Sequence, residues 1–448
     1  MSVRTTLPAI TLLLAAGLLT ACGERTPDRS LAEIREAART GDPAAQYELG
    51  VIYGRGELVA RDDLEAARWL RKAAEGGLAE AQYGLGVLYD RGRGVERDPG
   101  KAVGWYREAA RGGSAPAQLN LGFAYAAGEG VERDYSEAVD WFRRAAEAGH
   151  GLACYNLGLS YARGRGVDRD DRKAARWFRE AADRGIDRAR YELALMYSLG
   201  RGVDRDDREA ARWFRKAAEQ GNVRAGYNLG LMYAHGIGVG PDDREAARWF
   251  RRAAEGGDAG AQFTLASLYA AGRGVDQDFG EAVTWYERAA DQKIAPAQLN
   301  LGLIYARGEF VGQDYRKAEK WFGKAAEQGS AEAQYNLGRL HDGFWGFERD
   351  YPEAALWYRR AAELGYAPAM TALGSFYESG RGLPPDRTEA ASWYLAAAAF
   401  GDDTAGGKWN GLQETMSPDE REEAERRARS LTEEISRRRD PRPEDRSR

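Results

Sequence analysis

Ten tryptophans lie 36 residues apart without one slip: Trp69, Trp105, Trp141, Trp177, Trp213, Trp249, Trp285, Trp321, Trp357 and Trp393. Ten leucines from Leu49 to Leu373 keep the same step. So do ten aspartates from Asp62 to Asp386 and an Ala-Ala pair running from Ala73-Ala74 to Ala397-Ala398. A period of this length, held over ten units with no insertion, marks a stacked array. It replaces the reading of several domains that 448 residues would otherwise suggest.

The unit Gly151 to Gly185 shows how the period is built. Leu157, Ser160 and Tyr161 stand at helical spacing, with Gly158 where a second helix can come close. Gly164 and Gly166 stop that first helix, Val167 folds the turn back, and Asp170 caps the second helix. Seven units carry Glu three residues after the aspartate (Glu65, Glu137, Glu209, Glu245, Glu281, Glu353 and Glu389), which predicts a capping box with Asp as the cap. Ala174, Trp177, Ala181 and Ala182 are the predicted buried stripe of the second helix. The turn RGRGVDRDD, Arg163 to Asp171, has the look of a phosphate cradle or a cation loop. A binding loop is one special place, whereas this turn recurs in nearly every unit and lacks the alternating acidic spacing of a calcium loop. The motif is architecture.

Each indole can remove ~200 Å² from water, worth at most ~5 kcal/mol. A two-helix unit cannot bury that ring alone, so the spacing predicts indoles wedged between successive units, welding them into a continuous rod.

These residues follow A-x-A-Q-Y-x-L-G-x-x-Y-x-x-G-x-G-V, then D, then A-x-x-W-x-x-x-A-A. The pattern resembles the Sel-one-like repeat family, 36-residue relatives of the tetratricopeptide repeats, over 42–401. The resemblance implies an all-α fold: a right-handed α-solenoid superhelix of ten helix-turn-helix repeats that acts as a non-catalytic scaffold or adaptor for a protein or peptide. Capping helices are expected at both ends. Residues 30–41 look like a second helix without its first, with Glu33 where tryptophan would stand, and 402–435 hold the C-terminal caps, with Ser417 and Pro418 opening the last helix to about Ile435. Residues 436–448 read as a disordered charged tail.

At the other end, Arg4 precedes an apolar stretch that closes in Leu19-Thr20-Ala21-Cys22. This resembles a bacterial lipobox: 1–21 as signal peptide, Cys22 as the lipidated residue and 22–29 as a tether. An ordinary signal peptide or an uncleaved anchor are the other readings. Gly23 in place of aspartate resembles lipoproteins sent to the outer membrane, which implies a periplasm-facing protein of the bacterial envelope, on the inner leaflet of that membrane.

Two sets of residues are candidate contacts for a partner. Asn120, Asn156, Asn228, Asn300 and Asn336 directly precede the repeat leucine, at a position resembling the one whose asparagine holds peptide main chain in tetratricopeptide grooves. The alternative is that they bond a neighbouring loop of the stack. Phe310, Phe344, Trp345 and Phe347 replace glycine-rich turn residues beside His341, and form either an apolar contact patch or packing against the C-terminal cap.

Other chemistry finds little support. A net charge of −5 argues against nucleic acid. His150, His235 and His341 lack companions at metal-ligand spacing, and no cofactor motif occurs. Cys154 takes a slot filled by glutamine in Gln46, Gln82, Gln118, Gln262, Gln298 and Gln334, which suits an inert core thiol. Cysteine-stapled relatives linked to penicillin binding carry paired cysteines that this chain lacks, and no S-x-x-K occurs. The expected function is a membrane-tethered periplasmic adaptor. The rivals are a regulatory subunit of an envelope stress complex and, behind it, a peptidoglycan or β-lactam hydrolase.

Overall fold

The computed structural model describes residues 29–439. The signal peptide, Cys22, the tether up to residue 28 and the tail beyond Arg439 lie outside the described residues. Among the described residues the chain is all helix: twenty-three α-helices and no strand. They form two compact units, one ending at Asn222 and the other beginning at Val223. The first holds the capping helix Leu31–Arg39 and five helix pairs, from Pro43–Arg55 with Asp63–Glu75 to Asp187–Leu199 with Asp207–Glu219. The second holds five pairs, from Val223–His235 with Asp243–Glu255 to Ala367–Ser379 with Arg387–Ala399, then Asp403–Gln413 and Pro418–Arg439. Within each unit every repeat helix packs on the helix before it and the helix after it, the arrangement of an α-solenoid.

The turn between paired helices follows its sequence closely. Gly164 caps the first helix in the left-handed conformation at φ +65°, and Asp170 accepts from the Lys173 N–H to start the second. The Asp170 N–H donates to the Tyr161 carbonyl at 3.0 Å, and the same bond recurs from Asp62 and Tyr53 to Asp386 and Tyr377. This bond corrects the predicted capping box. The glutamate cannot bond an N–H already taken, so its carboxylate turns elsewhere: Glu65 to Arg68 (2.6 Å), Glu281 to the Trp285 indole N–H (3.0 Å), Glu389 to Arg427 (2.5 Å). Reciprocal boxes form instead at the ends of the array, between Ser30 and Glu33 and between Ser417 and Glu420.

Gly166 has a second duty. A Cβ there would lie 2.0 Å from the carbonyl oxygen of Tyr135, the first residue of the preceding repeat's second helix. The turn therefore abuts its neighbour backbone to backbone, and only glycine fits without displacement.

Between the repeats the indoles pack as expected, Trp105 on the cluster of Leu70, Ala74 and Leu85 and Trp141 on that of Tyr106, Ala110 and Leu121. Within a repeat, however, the wedge between the paired helices is the residue after the tryptophan. Phe178 is 2% exposed while Trp177 is half-buried, so the second-helix stripe runs through Ala174, Ala175, Phe178, Ala181 and Ala182. The ring of Phe178 fills the notch over Gly158, where a Cβ would come within 2.8 Å of it. Phe142 over Gly122, Phe250 over Gly230 and Tyr394 over Gly374 repeat the fit. Of the ten repeat indoles, Trp213, Trp249, Trp285, Trp321 and Trp393 are buried and the other five half-buried. Cations three residues on cover several of them, with Lys216 4.1 Å above Trp213 and Arg144 4.6 Å above Trp141.

Successive repeats are also tied by side-chain bonds. Arg71 donates to the Tyr89 hydroxyl and Arg107 to Tyr125, both at 2.9 Å. The repeat glutamine donates to a carbonyl of the preceding second helix, as Gln298 does to Ala290 at 2.9 Å and Gln46 to Ala38 at 3.1 Å. Cys154 fills that slot with its sulfur 3.9 Å from the Ala146 carbonyl; it is fully buried, and burial pushes its thiol pKa up. The last helix runs to Arg439 rather than ending near Ile435. Glu433–Arg437 and Glu434–Arg438 pairs support its last turn, and Ile435 is buried.

Candidate partner-binding surface

The five asparagines do not share one environment. Asn120 and Asn336 are buried, 6% and 3% exposed, whereas Asn156, Asn228 and Asn300 are half-buried. Asn156, Asn228 and Asn336 donate their amide N–H to the carbonyl four residues earlier on their own helix, at Leu152 (2.7 Å), Arg224 (2.9 Å) and Glu332 (2.9 Å). The amides are thus committed to their own helices, a third arrangement beside the neighbouring loop and the open groove. The bond leaves each amide oxygen as the uncommitted end.

The aromatic loop residues also separate. Trp345 stacks on Phe322 with centroids 6.1 Å apart, the Arg339 guanidinium lies 4.7 Å from its ring, and its carbonyl accepts from the Tyr315 hydroxyl. Phe347 packs edge-on to Tyr315 and His341, each at 5.8 Å. These rings rest on the preceding repeat's second helix, Tyr315–Glu327, and not on the C-terminal cap. Phe310 and Phe344 stay exposed, at 52% and 64%. Phe310 stands in the place of the second turn glycine, holds φ at +72° and stacks on Phe279.

Periodicity missed one site. Asp90, Tyr106, Asn120, Phe123 and Glu129 line a cavity of about 140 Å³ between the second and third repeats. Its signal in the sequence is small: Tyr106 stands where Phe142 and Phe178 fill the same place in the next repeats. Among the described residues no three His, Cys, Asp or Glu side chains come together to hold a metal ion. His150 is largely buried, which pulls its pKa down.

Helix pairs whose recurring polar groups bond one another from repeat to repeat define a repeat solenoid. The chain belongs to the Sel1 repeat family, which matches it in ten segments: 43–78, 79–114, 115–150, 151–186, 187–222, 223–258, 259–293, 295–330, 331–366 and 367–402. A crystal structure of a protective antigen present in uropathogenic Escherichia coli strains, displaying an SLR fold, is 36% identical. It aligns over 91% of this chain and 87% of its own at a TM-score of 0.77. A Sel1 repeat protein from Oxalobacter formigenes is 37% identical over 72% of this chain and 92% of its own, at a TM-score of 0.55. No curated protein matches. Proteins built from Sel1 repeats generally mediate protein–protein interaction as scaffolds and are generally not enzymes.

Proposed function

We propose that this chain is a periplasmic adaptor, tethered through a lipid on Cys22 to the inner leaflet of the outer membrane, that holds a protein or extended peptide along its first-helix faces without covalent chemistry. The observation that carries the binding half is the geometry of Asn156 and Asn228. Each is half-exposed, with its N–H locked on its own helix, so its amide oxygen is held in a preset direction. A preset acceptor loses little rotamer entropy when it meets a main-chain N–H. Buried Asn120 and Asn336 fall outside this role, while Phe310 and Phe344 add exposed apolar area. The tether rests on the lipobox-like Leu19-Thr20-Ala21-Cys22.

Crosslinking in intact cells, followed by identification of what co-purifies, tests both halves. Cys22→Ala is expected to release the chain from the membrane fraction. Asn156→Ala with Asn228→Ala is expected to reduce capture of the crosslinked partner at an unchanged melting midpoint. Undiminished capture by the double variant would reject the asparagine surface.

A further inference from the structure

The cavity in the first unit has a polar floor that the fold does not use. Tyr106 is 4% exposed and Asn120 6%. The hydroxyl lies beside the Asn120 amide, yet neither the hydroxyl nor the amide oxygen makes a hydrogen bond of good geometry. Buried polar groups of this kind cost about 1–3 kcal/mol each when left bare, so an occupant is the natural explanation.

Comparison between repeats shows that the bare hydroxyl is particular to this site. Where tyrosine takes the wedge position elsewhere, the chain provides for it. Tyr286 pairs with Ser267 at 3.0 Å, and Tyr394 pairs with Ser375 at 3.0 Å and donates to Glu378 at 2.6 Å. At Tyr106 the serine's place is held by Val87 and the glutamate's by Asp90. The wedge tyrosine Tyr358 has an aspartate, Asp342, in that same place and bonds it, whereas Asp90 leaves the Tyr106 hydroxyl unbonded. The result is a gap bordered by a phenol, an amide oxygen and a carboxylate, with Glu129 exposed at the rim.

We propose that this gap receives a primary ammonium group on a short alkyl arm, as a partner's lysine side chain or a free diamine presents. Three acceptor groups match the three N–H donors of an ammonium. Asp90 and Glu129 supply the opposite charge, and Val103 and Phe123 sheathe the methylenes. Arg97 lies between the two carboxylates, donating to the Asp90 carbonyl at 2.9 Å and reaching Glu129 only at 3.9 Å. With Arg91 it offsets part of the Asp90 charge, so the arriving ammonium meets a partly balanced pair. Burial and Glu129 hold the Asp90 carboxyl above the usual carboxylate range, so an arriving cation relieves that carboxylate. The size also suits: an apolar cavity of about 150 Å³ admits benzene, and a butylammonium arm is no bulkier. If the ammonium is a partner's lysine, the site deepens the adaptor reading; the test below does not need the partner.

The full chain is titrated calorimetrically with N-acetyl-lysine N-methylamide, with its norleucine counterpart that lacks the ammonium, and with 1,5-diaminopentane. Saturable binding of the lysine derivative is expected, with the norleucine compound weaker by roughly tenfold or more, the worth of one charge-assisted hydrogen bond. Tyr106→Phe and Asn120→Ala should each weaken it similarly without lowering the melting midpoint, and Tyr106→Phe should raise that midpoint, since Phe142 and Ala372 fill the equivalent places in other repeats. Tighter binding of the diamine assigns the site to free amines, and tighter binding of the lysine derivative to a partner's side chain. Equal affinity for the norleucine compound, or no saturable binding of any of the three at millimolar concentration, overturns the proposal and leaves ordered water as the occupant. Failed capture in cells alongside intact amine binding would fault the adaptor reading alone.

Discussion

Two glycines in one turn, Gly164 and Gly166, should respond very differently to the same added methyl group. Both hold left-handed backbone, at φ +65° and +71°, so alanine at either meets a backbone penalty of about 1–2 kcal/mol. Loss of glycine's freedom in the unfolded chain offsets about 0.4–1 kcal/mol of it. There the likeness ends. A Cβ at Gly164 finds its nearest atoms, those of Arg169, at 3.4 Å, an ordinary contact, whereas at Gly166 it meets the Tyr135 carbonyl oxygen at 2.0 Å. That oxygen belongs to the preceding repeat's backbone and cannot rotate away, so overpacking adds about 1–3 kcal/mol, with loss of the seam between the two repeats. Gly164→Ala should therefore cost about 1 kcal/mol and Gly166→Ala about 2–4 kcal/mol. Arrays open locally, so hydrogen exchange at the Asp170 amide, bonded to Tyr161 at 3.0 Å, reads the turn directly. The separation corresponds to roughly 5- to 150-fold faster exchange in Gly166→Ala than in Gly164→Ala. Equal exchange in the two variants, or the reverse order, would refute the backbone-contact argument. Position 310 already carries a natural version of the change: Phe310 occupies the Gly166 place at φ +72°, and its ring stacks on Phe279.

The wedge assignment predicts that Phe178→Ala costs about 3–5 kcal/mol in urea unfolding. Trp177→Ala, at a half-buried place, should cost less, and a larger loss from the tryptophan would return the wedge to the indole. Acid should act on the first unit through Asp63, whose carboxyl is held down at about 2 by Arg61 at 2.9 Å and Arg93 at 2.6 Å. A depressed folded pKa contributes stability that is present above the ordinary carboxylate value and lost as pH falls through about 2. The melting midpoint of Asp63→Asn should therefore lie below that of the parent at neutral pH and converge with it towards pH ~2. A constant offset across that range would contradict the assignment.

What was legible in the sequence is what local chemistry decides. The period, the glycine stops and the aspartate caps need only a few neighbouring residues, and all appear where expected. The reciprocal capping box was illegible because its donor is taken by a carbonyl nine residues back, from Asp170 to Tyr161, across a turn whose closure sequence does not display. Trp177 and Phe178 illustrate a different limit. They are adjacent, apolar and aromatic, so helical spacing cannot choose between them. The choice is made by the notch at Gly158 on the facing helix. The asparagine row was visible as a row, but rotamers and neighbours divided it: Asn156 reaches back to Leu152 while Asn120 is closed into a cavity wall.

A residue that recurs in every unit is therefore weak evidence of function, and a departure is stronger evidence only when it leaves a bond unmade. Tyr305 and Tyr106 show the difference. In the eighth repeat the usual arginine partner is replaced by Glu287, yet the bond survives with its direction reversed: Tyr305 donates to Glu287 at 3.0 Å, and burial with that carboxylate pushes its phenol up to about 12. The change is compensated, so it is still architecture. In the second repeat Tyr106 brings a hydroxyl to a place where phenylalanine packs equally well, and neither Val87 nor Asp90 satisfies it. An uncompensated polar atom in the core costs stability with no structural return. Other buried atoms also stand without a partner, the Gln118 and Gln334 amide oxygens among them, but those belong to amides whose N–H is already bonded. At Tyr106 and Asn120 the unmade bonds open on a cavity, and that coincidence is what singles the place out.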